Sequence, residues 1–403
     1  MILRTRYFSR VVVLSFALFA PAALYADQPF RFPEGKHGKG ELKYRNGLPV
    51  LMVEGTPTEI GEQVAVLVGK SSARLANYPK EALTHFTGPA LIKVVWPNLV
   101  KQGQRLLQNF PPDYRTEFET MVKWSGIDRE SLMMGNTAFD LKHEFAGLLG
   151  CSALMVEAER SVTGKPIFGR NMDHFPLGYL HHYSLVTVYR PQGKHAFASV
   201  GYAGLVGCIS GINDAGLVVC VLETTGAPAS EGPAFSAEGI PFALCYRRLL
   251  EECTTIQAAE TMLRGMKRTT TNNLAVCDAN GSAVLEITPS RVIVRKAEKG
   301  IGLCTNHFCT KELKLDKPKN LFTTLDRFAT LEKVRDLDKK LGVEDVHHYL
   351  DAVNQGEFTL QTMIFEPASR QLYLSIMEGK TPSSSLALKT LALASLLNHS
   401  GNR

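Results

Sequence analysis

Leu149-Gly150-Cys151-Ser152-Ala153, followed closely by Gly169-Arg170-Asn171-Met172-Asp173, opens the β-rich part of the chain with a cysteine set directly behind a glycine. Up to about Glu144 the chain reads as helix, and from Cys151 it breaks into short β-branched runs, so a cysteine stands at the seam between two kinds of structure. Gly150 has no side chain to shield its carbonyl from the thiol and tolerates strained backbone angles. An N-to-S acyl shift at the Gly150-Cys151 bond, followed by hydrolysis, would release a new chain beginning at Cys151. That residue would carry nucleophile and general base together, as thiol and free α-amine. An ordinary thiol of pKa about 8.5 and an α-amine of about 7.7 to 8.0 can share a proton near neutral pH.

Outward from this seam the elements follow. Upstream, Glu41 to Tyr44 and Leu48 to Val53 flank Asn46-Gly47, a hairpin turn signal. Thr56-Pro57-Thr58-Glu59 has capping-box spacing and a proline at the first helical position, which starts a helix. Helix is then expected with breaks near Pro79, Gly88, Pro97 and Pro111-Pro112. Downstream, the runs Cys151 to Val156, Pro166 to Asn171, Ser184 to Tyr189, Ala196 to Val200, Val206 to Ile212 and Leu217 to Leu222 predict antiparallel strands. Helices are expected at Phe242 to Glu252, Ile256 to Met266, Leu321 to Leu341 and Val343 to Val353. Further strands are expected at Leu274 to Cys277, Ala283 to Ile287, Val292 to Val294, Thr359 to Phe365 and Gln371 to Ile376. This alternation suggests sheets packed on each other and covered by helices. The tail from Pro382 carries a helix-like apolar run, Leu386 to Leu397, too short to span a bilayer.

Arg4, Arg6 and Arg10, then the apolar run Val11 to Ala23 and Leu24-Tyr25-Ala26, form a signal-peptide pattern over residues 1–26. Its removal takes three arginines and no acid, lowering the formal charge of the 403-residue chain from +6 to +3. Nucleic-acid binding then has no electrostatic motive. An exported location, periplasmic or secreted, follows. All eight cysteines lie at or beyond Cys151, so no disulfide can join the two halves. Cys208, Cys220 and Cys277 sit in apolar runs and read as buried thiols; a Cys304 to Cys309 bridge has no support in its spacing.

Beside Cys151, Arg170 would stabilise a thiolate and Asp173 would orient the α-ammonium, though an exposed hairpin with a salt bridge has the same spacing. Asn213, in Gly211-Ile212-Asn213-Asp214-Ala215-Gly216, and Asn306, in Thr305-Asn306-His307, are candidate oxyanion donors. Asn213 also suits a plain turn, as Asn272 and Asn273 suit strand entry. Gly69-Lys70-Ser71 lacks the upstream glycine of a phosphate-binding loop, and His143-Glu144 lacks a following histidine. The adjacent pairs His181-His182 and His347-His348 cannot chelate one metal from one face, so neither metal nor cofactor is expected.

In sequence order, Glu54-Gly55-Thr56-Pro57-Thr58-Glu59-Ile60-Gly61, Gly150-Cys151, Arg170-Asn171-Met172-Asp173, Gly211 to Leu217, Leu285-Glu286-Ile287-Thr288-Pro289 and Thr305-Asn306-His307 resemble the motifs of the acyl-CoA:6-aminopenicillanic-acid acyltransferase family, cysteine members of the N-terminal nucleophile hydrolases. The similarity runs from about Val50 to about Gly379. It implies an α+β fold, a four-layer αββα sandwich with a helical N-terminal segment. It also implies Gly150-Cys151 as the self-cleavage junction, Asp173 as the catalytic aspartate, Asn306 as the oxyanion asparagine, and an acyl-thioester route on a small-molecule N-acyl amide. The expected organisation is a signal peptide (1–26), a helical N-terminal chain (27–150), a catalytic chain (151–380) and a tail (381–403), the two chains staying together as a heterodimer. Bile-salt and penicillin V hydrolases and acid ceramidase are similar more distantly, and their Cys, Arg, Asp, Asn pattern supports a role for Arg170. Where the acyltransferase itself has an arginine before its penultimate strand, this sequence has Gln355-Gly356-Glu357, so penicillin-type recognition is not implied; Arg327 lies in the region of the family's Ser-x-x-Arg element. The alternatives are an uncleaved hydrolase pairing Cys151 with His307 or His174, and a non-catalytic binding protein on the same fold.

Overall fold

The hairpin signalled by Asn46-Gly47 forms as read. Both residues take positive φ, and β2 (Gly40–Arg45) returns as β3 (Leu48–Gly55), with β1 (Gly35–His37) paired outside β2. The computed structural model describes residues 30–141, 149–224 and 226–398, and the expected signal peptide lies outside them. From Phe32 onward the described chain is a single compact unit.

Thr56 caps α1 (Pro57–Val64) with the reciprocal Glu59 bonds of a capping box. After α2 (Ala73–Ala76) comes α3 (Tyr78–Gln108), interrupted at Gly88, whose φ of 80° breaks the helical path; Pro97 does not interrupt it. Helices α4 (Pro112–Ser125) and α5 (Arg129–Leu141) complete the helical run. Then follow β4 (Leu149–Val156), β5 (Ile167–His174), β6 (Ser184–Pro191), β7 (Phe197–Tyr202), β8 (Ser210–Asn213) and β9 (Val218–Glu223). Helices α6 (Phe242–Glu252) and α7 (Ile256–Gly265) precede β10 (Asn272–Asp278), β11 (Gly281–Ile287), β12 (Val292–Lys296) and β13 (Ile301–Cys304). Last come α8 (Thr324–Glu332), α9 (Val343–Asp351), β14 (Thr359–Glu366), β15 (Gln371–Ile376), β16 (Lys389–Ala392) and α10 (Leu393–Leu397).

Two sheets result. The larger runs β1-β2-β3-β6-β7-β8-β9-β10-β11-β12 and the smaller β13-β4-β5-β14-β15-β16. Helices α6 and α7 lie on the larger sheet, α8 and α9 on the smaller, and β4 meets β9 between the sheets, which gives the αββα layering. Alternation along β4 divides its side chains. Leu154 and Val156 join Leu331, Val346 and Leu350 beneath α8 and α9, so Cys151, Ala153 and Met155 face the interior between the sheets.

The strands before Cys151 extend the larger sheet. The strands read as antiparallel after Cys151 pair so, and β3 joins them in parallel beside β6, from Val50 opposite Val186 to Gly55 opposite Pro191. A parallel pair needs a long crossover, here supplied by the helical run and the first strands of the other sheet. The tail is not one helix, since Lys389–Ala392 add to the open edge of β15. All eight cysteines are unpaired. Among the described residues no helix is long and apolar enough to cross a membrane.

Candidate active site

β4 and β5 pair so that Gly150 lies opposite Asp173, Cys151 opposite Met172 and Ala153 opposite Arg170. Cys151 and Arg170 therefore project from the same face of the ribbon as diagonal neighbours, while Gly150 and Asp173 lie on the opposite face. The seam residue is interior, Cys151 being only 3% exposed. Arg170 Nη2 donates to Cys151 Sγ at 3.2 Å, and Nη1 donates to Ile209 O at 2.9 Å and to the Ser210 hydroxyl. The guanidinium is thus anchored on β8 and places a fixed positive charge on the sulfur. Burial alone would make Arg170 give up its proton more readily, but Cys151 and Cys220 beside it outweigh that and raise its pKa further.

On the other face, Thr359 Oγ1 at the start of β14 donates to Asp173 Oδ1 at 2.6 Å, while Oδ2 is buried without a hydrogen-bond partner. That oxygen points at the junction: a Cβ added to Gly150 would stand 3.2 Å from it. Burial raises the Asp173 pKa, with Arg327, Thr359 and Arg170 pulling it back.

Asn306 follows β13 and is brought beside Cys151 by the β13–β4 pairing. Its Oδ1 accepts from Cys151 N at 2.8 Å and its Nδ2 donates one hydrogen to Glu223 O at 3.0 Å. Thr324 Oγ1 accepts from Asn306 N at 2.8 Å. Arg327, one helical turn beyond Thr324, donates to Cys151 O, to Ser152 Oγ at 2.7 Å and to Asn306 Oδ1 at 2.7 Å. From the sequence Arg327 has no assigned role; the structure puts it on the backbone of Cys151. Its signal is Thr324-Leu325-Asp326-Arg327, an Arg three residues after a hydroxyl.

Asn213 requires a correction as an oxyanion donor. Its Nδ2 donates to Leu250 O at 2.9 Å and Cys253 O at 2.7 Å, and its Oδ1 accepts from Leu217 N at 2.9 Å, so it ties the β8–β9 turn to the end of α6. Both amide hydrogens are spent there. Neither candidate histidine is the sulfur's bonded partner in the way a Cys-His pair needs. His307 Nδ1 bonds Thr324 Oγ1 at 3.0 Å and its pKa is pushed down to about 4, chiefly by burial, while His174 Nδ1 bonds the Tyr78 hydroxyl at 2.7 Å. Phe139, Ile209, Val221, Glu223 and Phe242 close the small space around the thiol. None of these five was singled out from sequence.

The family model described as acyl-coenzyme A:6-aminopenicillanic acid acyl-transferase matches residues 161–388. No curated protein matches the chain. Among solved structures, a mutant conjugated bile acid hydrolase from Clostridium perfringens is similar at a TM-score of 0.45 and 16% identity, covering 63% of this chain and 95% of that one. The Caenorhabditis elegans ortholog of N-acylethanolamine-hydrolyzing acid amidase is similar at 0.41 and 13%, with coverages of 54% and 93%. Penicillin V acylase from Agrobacterium tumefaciens is similar at 0.40 and 14%, with coverages of 56% and 83%.

Proposed function

Because this chain belongs to the acyl-coenzyme A:6-aminopenicillanic acid acyl-transferase family, and is an enzyme of carbon–nitrogen amide bonds, hydrolase or acyltransferase, we propose that it is exported, cuts itself before Cys151, and cleaves small N-acyl amides through an acyl-thioester on that cysteine. The observation that carries this reading is the orphaned Oδ2 of Asp173 beside Gly150. A buried carboxylate oxygen without a donor is costly. It gains one when the Gly150-Cys151 bond breaks and Cys151 N becomes an ammonium.

The steps follow from the placement of the groups. Cys151 Sγ adds to the Gly150 carbonyl carbon, the C–N bond breaks, and the proton lost from sulfur ends on the released Cys151 amine. Water then hydrolyses the Gly150 thioester to a carboxylate and restores the thiol, and the proton released makes the Cys151 amine an ammonium. In turnover the α-amine acts in its neutral form, once that ammonium has returned its proton to water; still beside Asn306 Oδ1, it takes the thiol proton as sulfur attacks the substrate carbonyl and gives it to the leaving amine. Arg170 stabilises the charge that develops on the sulfur as this proton leaves. Asn306 has a second Nδ2 hydrogen for the oxyanion, and Arg327 fixes both Asn306 and the Cys151 backbone. Water, activated by the same amine, releases the acid. An exported enzyme has no expected supply of acyl-CoA, which favours water as the acceptor.

Intact-mass measurement tests this. The purified protein should separate under denaturing conditions into two fragments, the first beginning at Asp27 and the second at Cys151, and Cys151→Ala should leave one uncut chain. An uncut chain with full activity on amides would refute the mechanism.

A further inference from the structure

Asn273 suits strand entry by its sequence, and in the fold it stands second on β10, directly opposite Glu286 of β11. Residues so paired share one face of the sheet, and here that face meets the segment that carries Asn306. Asn273 Nδ2 donates to Thr305 O at 3.1 Å and to His307 O at 3.0 Å, the carbonyls on either side of Asn306. Glu286 holds the same segment further on, its carboxylate accepting from Cys309 N at 2.8 Å, from Thr310 N at 3.0 Å and from the Thr310 hydroxyl at 2.6 Å. Arg295 of β12 joins them, donating through Nε to Glu286 at 3.1 Å and through Nη2 to Leu303 O of β13 at 2.8 Å. Three neighbouring strands of the larger sheet thus grip the end of an edge strand of the smaller one and the turn beyond it.

We propose that Asn273 is a positioning residue of the reaction: its two amide hydrogens fix both peptide groups that flank Asn306 and so aim the Asn306 amide at the oxyanion. This rests on the role of Asn306 proposed above. The ladder between β13 and β4 ends at Cys304, so Asn306 has no strand partner there and side chains set its direction. Thr324 takes its N–H, and Asn273 takes the carbonyls before and after it. Asn273 Oδ1 is buried without a hydrogen-bond partner, a cost that an apolar side chain would not carry. What the amide contributes is therefore its two hydrogens. Without them the flanking peptides can turn and carry Asn306 Nδ2 with them, and a displacement of about 1 Å at a reacting group can cost about a hundredfold in rate. Asn272 supplies the contrast. It lies on the opposite face of β10, where its Oδ1 accepts from the Tyr246 hydroxyl of α6, and it is buried like Asn273.

The test compares two reactions at one sulfur. Iodoacetamide alkylates Cys151 by displacing iodide at a saturated carbon, so no oxyanion forms. 4-Nitrophenyl butanoate acylates it through a tetrahedral oxyanion, the thioester forming as 4-nitrophenolate leaves. In the self-cut protein, Asn273→Ala should slow acylation about 10- to 100-fold and leave the rate of Cys151 alkylation, read by peptide mass, and its pH profile within about twofold. Asn272→Ala should lower the melting temperature without changing either rate. Asn273→Ala combined with Asn306→Ala should be no slower in acylation than Asn306→Ala alone, because the first residue acts through the second. Asn273→Ser, which keeps one donor, replaces an alanine variant that fails to fold or to cut, and should still lose at least about threefold in acylation alone. Acylation unchanged by loss of Asn273, both reactions slowed alike, or losses that multiply in the double variant would overturn the role of Asn273 and leave the thioester chemistry standing. A wild-type thiol that is alkylated but never acylated strikes that chemistry, and this inference with it.

Discussion

Asp173 carries its charge at a cost in the uncut chain. Burial raises its pKa above the usual carboxylate value, and Oδ2 has no donor to offset the lost hydration. An acid raised in the folded state binds its proton more tightly there than when unfolded. Its contribution is therefore neutral below about pH 3 and becomes destabilising as pH rises through the usual carboxylate value and on past the raised one. In the uncut Cys151→Ala protein, Asp173→Asn should raise the melting temperature by an amount near zero at low pH that grows toward neutrality, since the amide oxygen can still accept from Thr359. A shift independent of pH, or a loss at neutral pH, would show that Oδ2 is paid for by another group. Cys151, Arg170 and Asp173 were legible because one hairpin carries them and the period of two places them. The contact made by Arg327 was not, because it reaches Cys151 across 176 residues, and the Thr324-Leu325-Asp326-Arg327 spacing marks the arginine without saying what it touches. Asn213 misled because an Asn in a turn reads the same whether its amide points at a substrate or at a helix end.

Elements were legible where their ends are chemically marked. The Thr56 cap and the Asn46-Gly47 turn fixed their boundaries, and α6 formed over Phe242–Glu252 as its apolar spacing required. Val206 to Ile212 yielded only Ser210–Asn213 as strand, because Cys208 N is taken by Ala243 O of α6. Ile301–Cys304 was missed, four residues being too short to show alternation. What joins the helices across the proposed cut is a buried charge cluster. Arg247 of α6 holds Glu117 of α4 through two bonds of 2.8 and 2.9 Å and Glu251 at 2.8 Å, and Tyr114 donates to Glu251 at 2.8 Å. Arg247, Glu117 and Glu251 are at most 2% exposed. Glu117→Gln would leave the cluster one anion short and should destabilise the protein by about 3 to 5 kcal/mol, whereas Glu119→Gln on the solvent face should change it by less than about 1. Urea unfolding of the two variants measures the difference, and similar midpoints would mean that Arg247 is satisfied without α4.

At the scale of the molecule, the larger sheet decides what cleavage can do. A cut before Cys151 leaves β1, β2 and β3 on one fragment and every other strand of both sheets on the other, with Gly150 as the last residue of the first. The parallel ladder between β3 and β6 crosses that division, and Leu51 and Val53 on it are each 1% exposed. Separation would expose this ladder, bare the apolar face of the helical run and strand Glu117 from Arg247. Each of these costs is of the kind that holds a single domain together. Nothing comparable opposes staying together, because the cut removes one peptide bond and no packing. The fragments should therefore co-elute at the mass of the intact chain at high salt, where a surface ion pair would be screened, and part only in denaturant in one transition that also unfolds the sheet. Leu51→Asp, which buries an unpaired charge beside β6, should lower the denaturant midpoint for separation and unfolding together. Fragments that part in salt alone, or that separate well before the sheet melts, would show that the ladder between β3 and β6 does not hold the two chains.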